Sequence, residues 1–96
     1  MASIDTIKNR EIRGCIMRAL GISKGRAISN TSLANALISV CTDLDPYLFY
    51  LADKGYISII PVDNDDMTGI TSLINITAKG IDLMEGNIPD DPGITL

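Results

Sequence analysis

The chain has 96 residues, which suits one domain with a single apolar core and leaves too few for a second. Apolar residue types make up 46% of it, but there is one Phe, three Tyr and no Trp, so Ile and Leu must fill most of the core. It contains no run of about eighteen apolar residues and no signal-peptide pattern at its start, which predicts a cytoplasmic protein without a membrane partner.

The charge is unevenly distributed along the chain, whose formal net charge is −4. Residues 1–42 carry six Lys and Arg against two acids, whereas residues 43–96 carry two Lys against ten acids. Phosphate contacts dominate the affinity of DNA-binding proteins and require positive charge. A DNA-binding surface on this chain must therefore use the N-terminal half.

Residue types with catalytic or metal-binding chemistry are scarce. The chain has no His, which removes the commonest general acid–base residue and metal ligand. Cys15 and Cys41 lie in apolar helical patterns and are interpreted as small core residues without zinc-site spacing. The lack of an export signal also argues against a disulfide between them. We therefore predict a protein that is not an enzyme and has no cofactor and no metal.

Three acids near the predicted hairpin tip, Asp63, Asp65 and Asp66, are the remaining candidates for holding a cation. The spacing of a calcium-binding EF-hand loop fails, because Thr68 stands where that loop needs glycine and no Glu follows at its last position. We interpret this segment as a solvated turn.

Helical periodicity predicts the first helix over residues 4–20, beginning at a cap on Ser3 or Asp5 and ending near Gly21. One arc of this helix is apolar and is predicted to face the core: Ile12, Cys15, Ile16, Ala19 and Leu20. The other side carries the basic residues and is predicted to face outward: Arg10, Arg13, Gly14, Met17 and Arg18.

Two more helices are predicted before residue 56. A very short strand at 27–29 leads into a helix over about 31–41, capped by Asn30 or Thr31. The next helix is predicted to begin at a cap on Asp45, with Pro46 at the first helical position, and to end at Gly55. The inward residues of these two helices are Leu33, Leu37, Val40, Leu48 and Leu51.

After residue 55 the apolar period changes from helical to two. This predicts a β-hairpin with strands over 56–62 and 70–76, where Pro61 marks an edge strand or a strand end. The two strands are predicted to turn their alternate isoleucines to one face: Ile57, Ile59, Ile70, Ile74 and Ile76.

A last helix is predicted over about 78–86, with a cap on Thr77 and with Ile81 and Met84 directed inward. Residues 1–86 are predicted to form the domain, and 87–96 an irregular tail. Across all the elements, ten residues are predicted as core: Ile12, Ile16, Leu20, Leu33, Leu37, Leu48, Leu51, Ile57, Ile76 and Ile81.

The order helix, short strand, helix, helix, hairpin, helix resembles that of the winged helix-turn-helix. Residues 30–57, NTSLANALISVCTDLDPYLFYLADKGYI, look like its paired helices and the lead into its wing. Residues 74–86, INITAKGIDLMEG, are similar to the close of the wing and the following helix in MarR-, PadR- and ArsR-like regulators. The chain also resembles small ArsR-like proteins of Mu-type prophages. The resemblance implies a mostly α fold with a small β-hairpin (α+β) and a DNA-binding transcriptional regulator.

By this resemblance the third helix is a recognition helix that enters the major groove, and residues 63–69 form the wing. Two features depart from a DNA-binding pattern. The third helix offers no Arg, Asn or Gln to pair with base edges. The wing tip carries three acids and no base, so a phosphate backbone would repel it.

Two functions remain open on these observations. The first is a regulator that binds duplex DNA as a homodimer, formed through the first helix, the last helix and the tail. The alternative is a winged helix that contacts a protein partner and does not bind DNA. The candidate contact residues are Tyr47, Tyr50 and Lys54 on the third helix and Arg10, Arg13, Lys24 and Arg26 on the basic side.

Both groups of candidate residues also have a structural interpretation. The basic residues either contact phosphates or form a solvated face with salt bridges to the acidic half of the chain. The aromatic residues either form a contact patch, or Phe49 is partly core and Tyr47 and Tyr50 lie flat on the surface.

Overall fold

A computed structural model describes residues 3–23, 25–63 and 69–96. These residues form four helices and an antiparallel sheet of three strands, so the fold is mixed α+β. None of the described helices has the length and apolar character needed to cross a membrane. The elements in chain order are α1 (Ile4–Ile22), β1 (Ile28–Ser29), α2 (Asn30–Ala36), α3 (Asp45–Asp53), β2 (Ile57–Pro61), β3 (Ser72–Ile76) and α4 (Ala78–Glu85).

Helix α1 begins where predicted, with the side chain of Ser3 accepting a hydrogen bond from the backbone N–H of Thr6. Ile16 and Leu20 are fully buried, as predicted. The prediction that Met17 and Gly14 face outward is wrong, because both are buried. The C-terminal tail crosses α1 at Gly14, so this helix is covered over a wider arc than its apolar residues indicate.

Helix α2 is shorter than predicted and begins one residue earlier. Its cap is Ser29, whose side chain accepts from the N–H of Ser32, and not Asn30 or Thr31. The chain leaves the helical path at Leu37 and continues as turns, so the prediction that Val40 points inward is wrong. The β-branched Ile38 and Val40 and the intervening Ser have low helix propensities, which weakens the end of this helix.

Helix α3 begins one residue earlier than predicted. Leu44 is its cap residue, and Asp45 and Pro46 occupy the first turn. The carboxylate of Asp43 accepts a hydrogen bond of 3.3 Å from the N–H of Asp45. The helix stops at Gly55 as predicted, since Gly55 has a φ of 86°, which a residue with a side chain rarely adopts.

The predicted β-hairpin is present as β2 and β3, but both strands are shorter than predicted and Ile70 precedes β3. Ile57 pairs with Ile76 and Ile59 with Ile74, so these alternate isoleucines lie on one face of the sheet. Strand β1 pairs with the other side of β3, which makes β2 an edge strand. Pro61 ends this edge strand, where its missing N–H interrupts no ladder.

Helix α4 has the predicted ends but a different buried face. Thr77 caps it and Gly86 closes it in the left-handed conformation. The prediction that Ile81 is core is wrong, because it is 36% exposed, while Leu83 is buried. Gly80 lies so close to the carbonyl of Tyr56 that a Cβ would overlap it, and this contact turns the side of α4 with Leu83 inward.

The core lies between α1, α3 and the sheet. Of the ten predicted core residues, eight are buried, Ile12 is partly buried and packs against the core, and Ile81 is exposed. Leu44, from the turn before α3, and Ile94, from the tail, are also buried. The tail has no helix or strand, and it contributes the side chain of Ile94 to the core.

Candidate functional site

The side of α3 that carries Tyr47, Tyr50 and Lys54, called the inner face below, is occupied by other parts of the chain. Both tyrosines are partly buried and pack against the core, so the prediction that they point outward is wrong. The hydroxyl of Tyr47 donates a 3.0 Å hydrogen bond to the side-chain oxygen of Asn9 on α1. The guanidinium of Arg13 lies 3.7 Å from the centroid of the Tyr50 ring, in cation–π geometry.

Asp91 in the tail links the inner face to the rest of the domain. Its carboxylate accepts a 2.8 Å hydrogen bond from the Tyr56 hydroxyl and another of 2.8 Å from the N–H of Gly93. The same carboxylate forms a 3.0 Å ion pair with Lys54. The Asp91 side chain is buried, whereas that of Lys54 reaches solvent. The tail therefore pairs the charge of Lys54 with a carboxylate of the same chain.

These contacts shift the protonation equilibria of the three side chains. Burial raises the pKa of Asp91, but the hydrogen bonds from Gly93, Tyr56 and Lys54 outweigh it and leave this pKa below its ordinary value. Burial and the Asp91 carboxylate raise the pKa of Tyr56 to about 12. The hydrogen bond to Asp91 and its negative charge raise the pKa of Lys54.

The predicted basic face of α1 does not form one free surface. Arg13 donates a 3.1 Å hydrogen bond to the carbonyl of Gly93 and is partly buried beneath the tail. The backbone carbonyl of Arg10 accepts from the N–H of Thr95, so the tail also runs beside this residue. Two of the four predicted basic contact residues therefore lie against the tail.

Three further cations, Lys8, Arg18 and Arg26, are exposed along α1 and in the segment before β1, and Arg18 donates a 3.4 Å hydrogen bond to the carbonyl of Thr95. Arg26 is exposed before β1, and its side chain has no hydrogen-bond or ion-pair partner within the described part of the chain. Lys8 is exposed near the other end of α1, about 21 Å from Ile22 at ~1.5 Å per residue. Lys24, the fourth predicted basic contact residue, lies outside the described residues, as does most of the predicted wing tip, including Asp65 and Asp66.

The opposite side of α3 is its outer face, formed by Asp45, Phe49 and Asp53. These positions follow one another at spacings of four, so they form a stripe along one side of the helix. All three side chains are exposed, and Phe49 is 60% exposed although it is the one Phe of the chain. Of the two interpretations of Phe49 that the sequence leaves open, a partly buried ring is thus wrong, and Phe49 is the most exposed aromatic of the helix.

The roles of two residues, Asp91 and Phe49, are not indicated by the local sequence pattern alone. Asp91 lies in the tail that is predicted to be irregular, although the turn-forming run Asp-Asp-Pro-Gly around it indicates a defined conformation. For Phe49 the sequence leaves an exposed contact patch and a partly buried ring equally open, because no local pattern separates it from Tyr50. No family model matches the chain, and no curated protein or solved structure matches it.

Proposed function

We propose that this chain is a small winged-helix domain that contacts a protein partner through the outer face of α3. The element order α1-β1-α2-α3-β2-β3-α4 supports the winged-helix assignment. In that assignment α2 and α3 are the helix-turn-helix pair, and the β2–β3 hairpin is the wing. The position of α3 in this order makes it the contact helix of the domain.

The observation that carries the proposal is the chemistry of the outer face. An exposed phenylalanine lies between two exposed carboxylates, on a stripe about 12 Å long at ~1.5 Å per residue. A DNA groove favours hydrogen-bond donors and positive charge, which Asp45, Phe49 and Asp53 do not supply. The same side chains suit binding to a protein, because aromatic side chains that become buried are frequent anchors of protein interfaces.

The stripe also specifies the chemistry of the partner. Phe49 requires an apolar pocket, and the flanking carboxylates favour Lys or Arg at the rim of that pocket. The cation nearest in sequence, Lys54, is already paired with Asp91, so it does not neutralise the stripe. We therefore expect a partner surface that is basic and has an apolar depression at its centre.

A DNA-binding regulator is the second candidate function, and the element order supports it as well. In this proposal Arg26 and Lys8 contact phosphates at the two ends of α1. The contacts at the inner face argue against DNA binding, because Arg13 and Lys54 already have partners within the chain. Binding of duplex DNA would then require the tail to leave α3.

Site-specific photo-cross-linking distinguishes the two candidates. Phe49 is replaced by p-benzoyl-phenylalanine, and the protein is irradiated in the cells that naturally produce it. The matched control carries the same group at Ile60, an exposed apolar residue on the edge strand β2. Both positions tolerate the larger ring because both side chains are exposed.

We expect a discrete protein adduct from position 49 that is absent from position 60. A nuclease-sensitive adduct from position 49 would instead identify DNA as the partner and favour the regulator. The same protein adduct from both positions would show that reactivity is unspecific, and would contradict contact through α3.

A further inference from the structure

A groove of about 380 Å³ lies between the C-terminal end of α1 and helix α4. Gly21 and Ile22 line it from α1, and Ile81 and Met84 line it from α4. Ile76, which is buried at the end of β3, also contributes to the lining. The volume of the groove lies within the range of pockets that hold small molecules, roughly 300–1,000 Å³.

The apolar side chains of this groove are left open by the rest of the chain. Ile22 is 80% exposed, and Ile81 is exposed although the adjacent Gly80 is buried. A Cβ at position 21 would meet the terminal methyl of Met84 at 3.8 Å, so glycine leaves the space between the two helices empty. An apolar group that enters the groove would remove these side chains from water, which favours binding.

Two side chains of opposite charge line the same groove, Arg18 from α1 and Glu85 from α4. Within the described part of the chain they do not form an ion pair with each other. Arg18 donates a 3.4 Å hydrogen bond to the carbonyl of Thr95 and a weak one to the sulfur of Cys15. Glu85 accepts one of 3.2 Å from the side-chain amide of Asn87. All these partners are uncharged, so both charges are available to a ligand.

We propose that this groove binds a free α-amino acid with an aliphatic side chain. The side chain of the ligand packs against Ile22, Ile81 and Met84. Its α-carboxylate accepts hydrogen bonds from the guanidinium of Arg18, and its α-ammonium donates to the carboxylate of Glu85. A free amino acid carries both charges on one carbon beside an apolar group, which matches the apolar lining and the two charges of the groove.

The two charges favour a zwitterion over a ligand with one charge or none. An apolar carboxylate would also meet the carboxylate of Glu85, and an apolar amine would also meet the guanidinium of Arg18, so like charges would repel. An uncharged apolar ligand would take water from both side chains without replacing its hydrogen bonds. A peptide separates its ammonium from its carboxylate, so it cannot place both beside one apolar side chain.

Titration with L-leucine, followed by amide NMR spectra near neutral pH, tests the proposal. We expect saturable shifts at Gly21, Ile22 and Ile81, with a dissociation constant of ~1 mM or below, which is within reach of a ligand of this size. Three comparison ligands each lack one feature of leucine. L-alanine lacks the apolar side chain, isocaproate lacks the ammonium, and isoamylamine lacks the carboxylate. Each should bind about tenfold more weakly than L-leucine, or worse.

The comparison also shows which results would overturn the proposal. Absence of saturable shifts with L-leucine would contradict it directly. Isocaproate binding as tightly as leucine would make the groove an anion site, and isoamylamine binding as tightly would make it a cation site. Shifts of the same residues with protein concentration alone would mean that a second copy of the chain covers the groove.

Two variants separate the charged contacts. Arg18→Gln should weaken binding of L-leucine about tenfold without weakening that of isoamylamine, which has no carboxylate. Glu85→Gln should weaken binding of L-leucine without weakening that of isocaproate. Lys8→Gln and Glu11→Gln are the matched controls, at exposed positions of α1 outside the groove, and should change no affinity. Equal effects of the controls would show that binding follows net charge and would overturn both contacts, and none of these results bears on contact through α3.

Discussion

The two faces of α3 differ in whether other parts of the chain contact them. The inner face has tyrosines and a lysine, and all three find partners in α1 or the tail. The outer face has one phenylalanine and two carboxylates, and they remain exposed. Nine residues of helix thus divide into a side that stabilises the domain and a side that is available for a partner.

This difference shows why the residue types of a contact helix do not identify its contact side. Tyrosines are common interface residues, yet here both contact α1, and Lys54 is paired with Asp91 in the tail, nearly forty residues further along the chain. The side that remains free is decided by tertiary contacts. If the tail holds the inner face in place, changes where they meet should lower stability, whereas changes on the outer face should not.

The largest effect is expected where the tail crosses α1. In Gly14→Ala the new Cβ would overlap the carbonyl oxygen of Thr95, and backbone atoms do not move aside as side chains do. We expect the free energy of unfolding to fall by about 3 kcal/mol, more than the ~1 kcal/mol that Ala gains over Gly in a helix. Urea unfolding followed by circular dichroism measures this change.

Gly21→Ala is the matched control on the same helix. A Cβ there would meet only the terminal methyl of Met84 at 3.8 Å, an ordinary contact. This variant should be neutral or stabilised by up to about 1 kcal/mol. Equal losses in the two variants would mean that close packing of the tail is not the cause.

The two neighbouring aromatics of α3 should respond differently to truncation. Tyr50→Ala removes a partly buried ring that packs against the core and beneath Arg13, so we expect a loss of about 2 kcal/mol. Phe49→Ala should change stability by no more than about 0.5 kcal/mol, as exposed positions do. A larger loss from Phe49→Ala would place that ring in the core and remove the outer face as a contact surface.

Asp91→Asn should lower stability by about 1–2 kcal/mol near neutral pH, because Tyr56 and Gly93 lose a charged acceptor. The folded-state pKa of Asp91 lies below the ordinary 3.8, so its stabilising effect is present above that pH and is lost as the pH falls further. Unfolding curves of both proteins between pH 7 and pH 2 measure the difference. It should shrink below about pH 4, and a constant difference would contradict the ionised state of Asp91.

A smaller loss than that of Asp91→Asn is expected for Tyr56→Phe, about 1 kcal/mol from one lost hydrogen bond. The pKa of Tyr56 is raised from 10.0 to about 12, so its contribution is present below pH 10 and is lost as the pH rises toward 12. Absorbance titration of the phenolic groups should show a step near pH 12 in wild type only. A step near pH 10 at this residue would mean that Asp91 does not contact its hydroxyl.

The parts of the fold that were predicted correctly depend on local chemistry. The hairpin follows from alternating isoleucines, the start of α4 from a Thr cap, and the end of α3 from a glycine with positive φ. Each of these signals acts within a few residues of the chain, so the element it determines can be predicted from the sequence.

The predictions that are wrong concern residues at which segments distant in sequence come into contact. Met17 is buried because its side of α1 is covered by other elements, which no helical period reveals. Ile81 is exposed because the close approach of Gly80 to Tyr56 turns α4. The same reason applies to the predicted contact residues Arg13 and Lys54. Their side chains have partners in the tail, and the sequence does not show that the tail lies against them.

Binding of random duplex DNA across a salt series tests most directly the claim that α3 contacts protein and not DNA. Fluorescence anisotropy of a labelled duplex is measured with wild type at salt concentrations from about 50 to 200 mM, a range over which phosphate contacts lose most of their affinity. We predict no salt-sensitive binding at the upper end of this range. Binding whose logarithm falls steeply with the logarithm of salt, and which Arg26→Glu weakens, would contradict the account and establish the regulator.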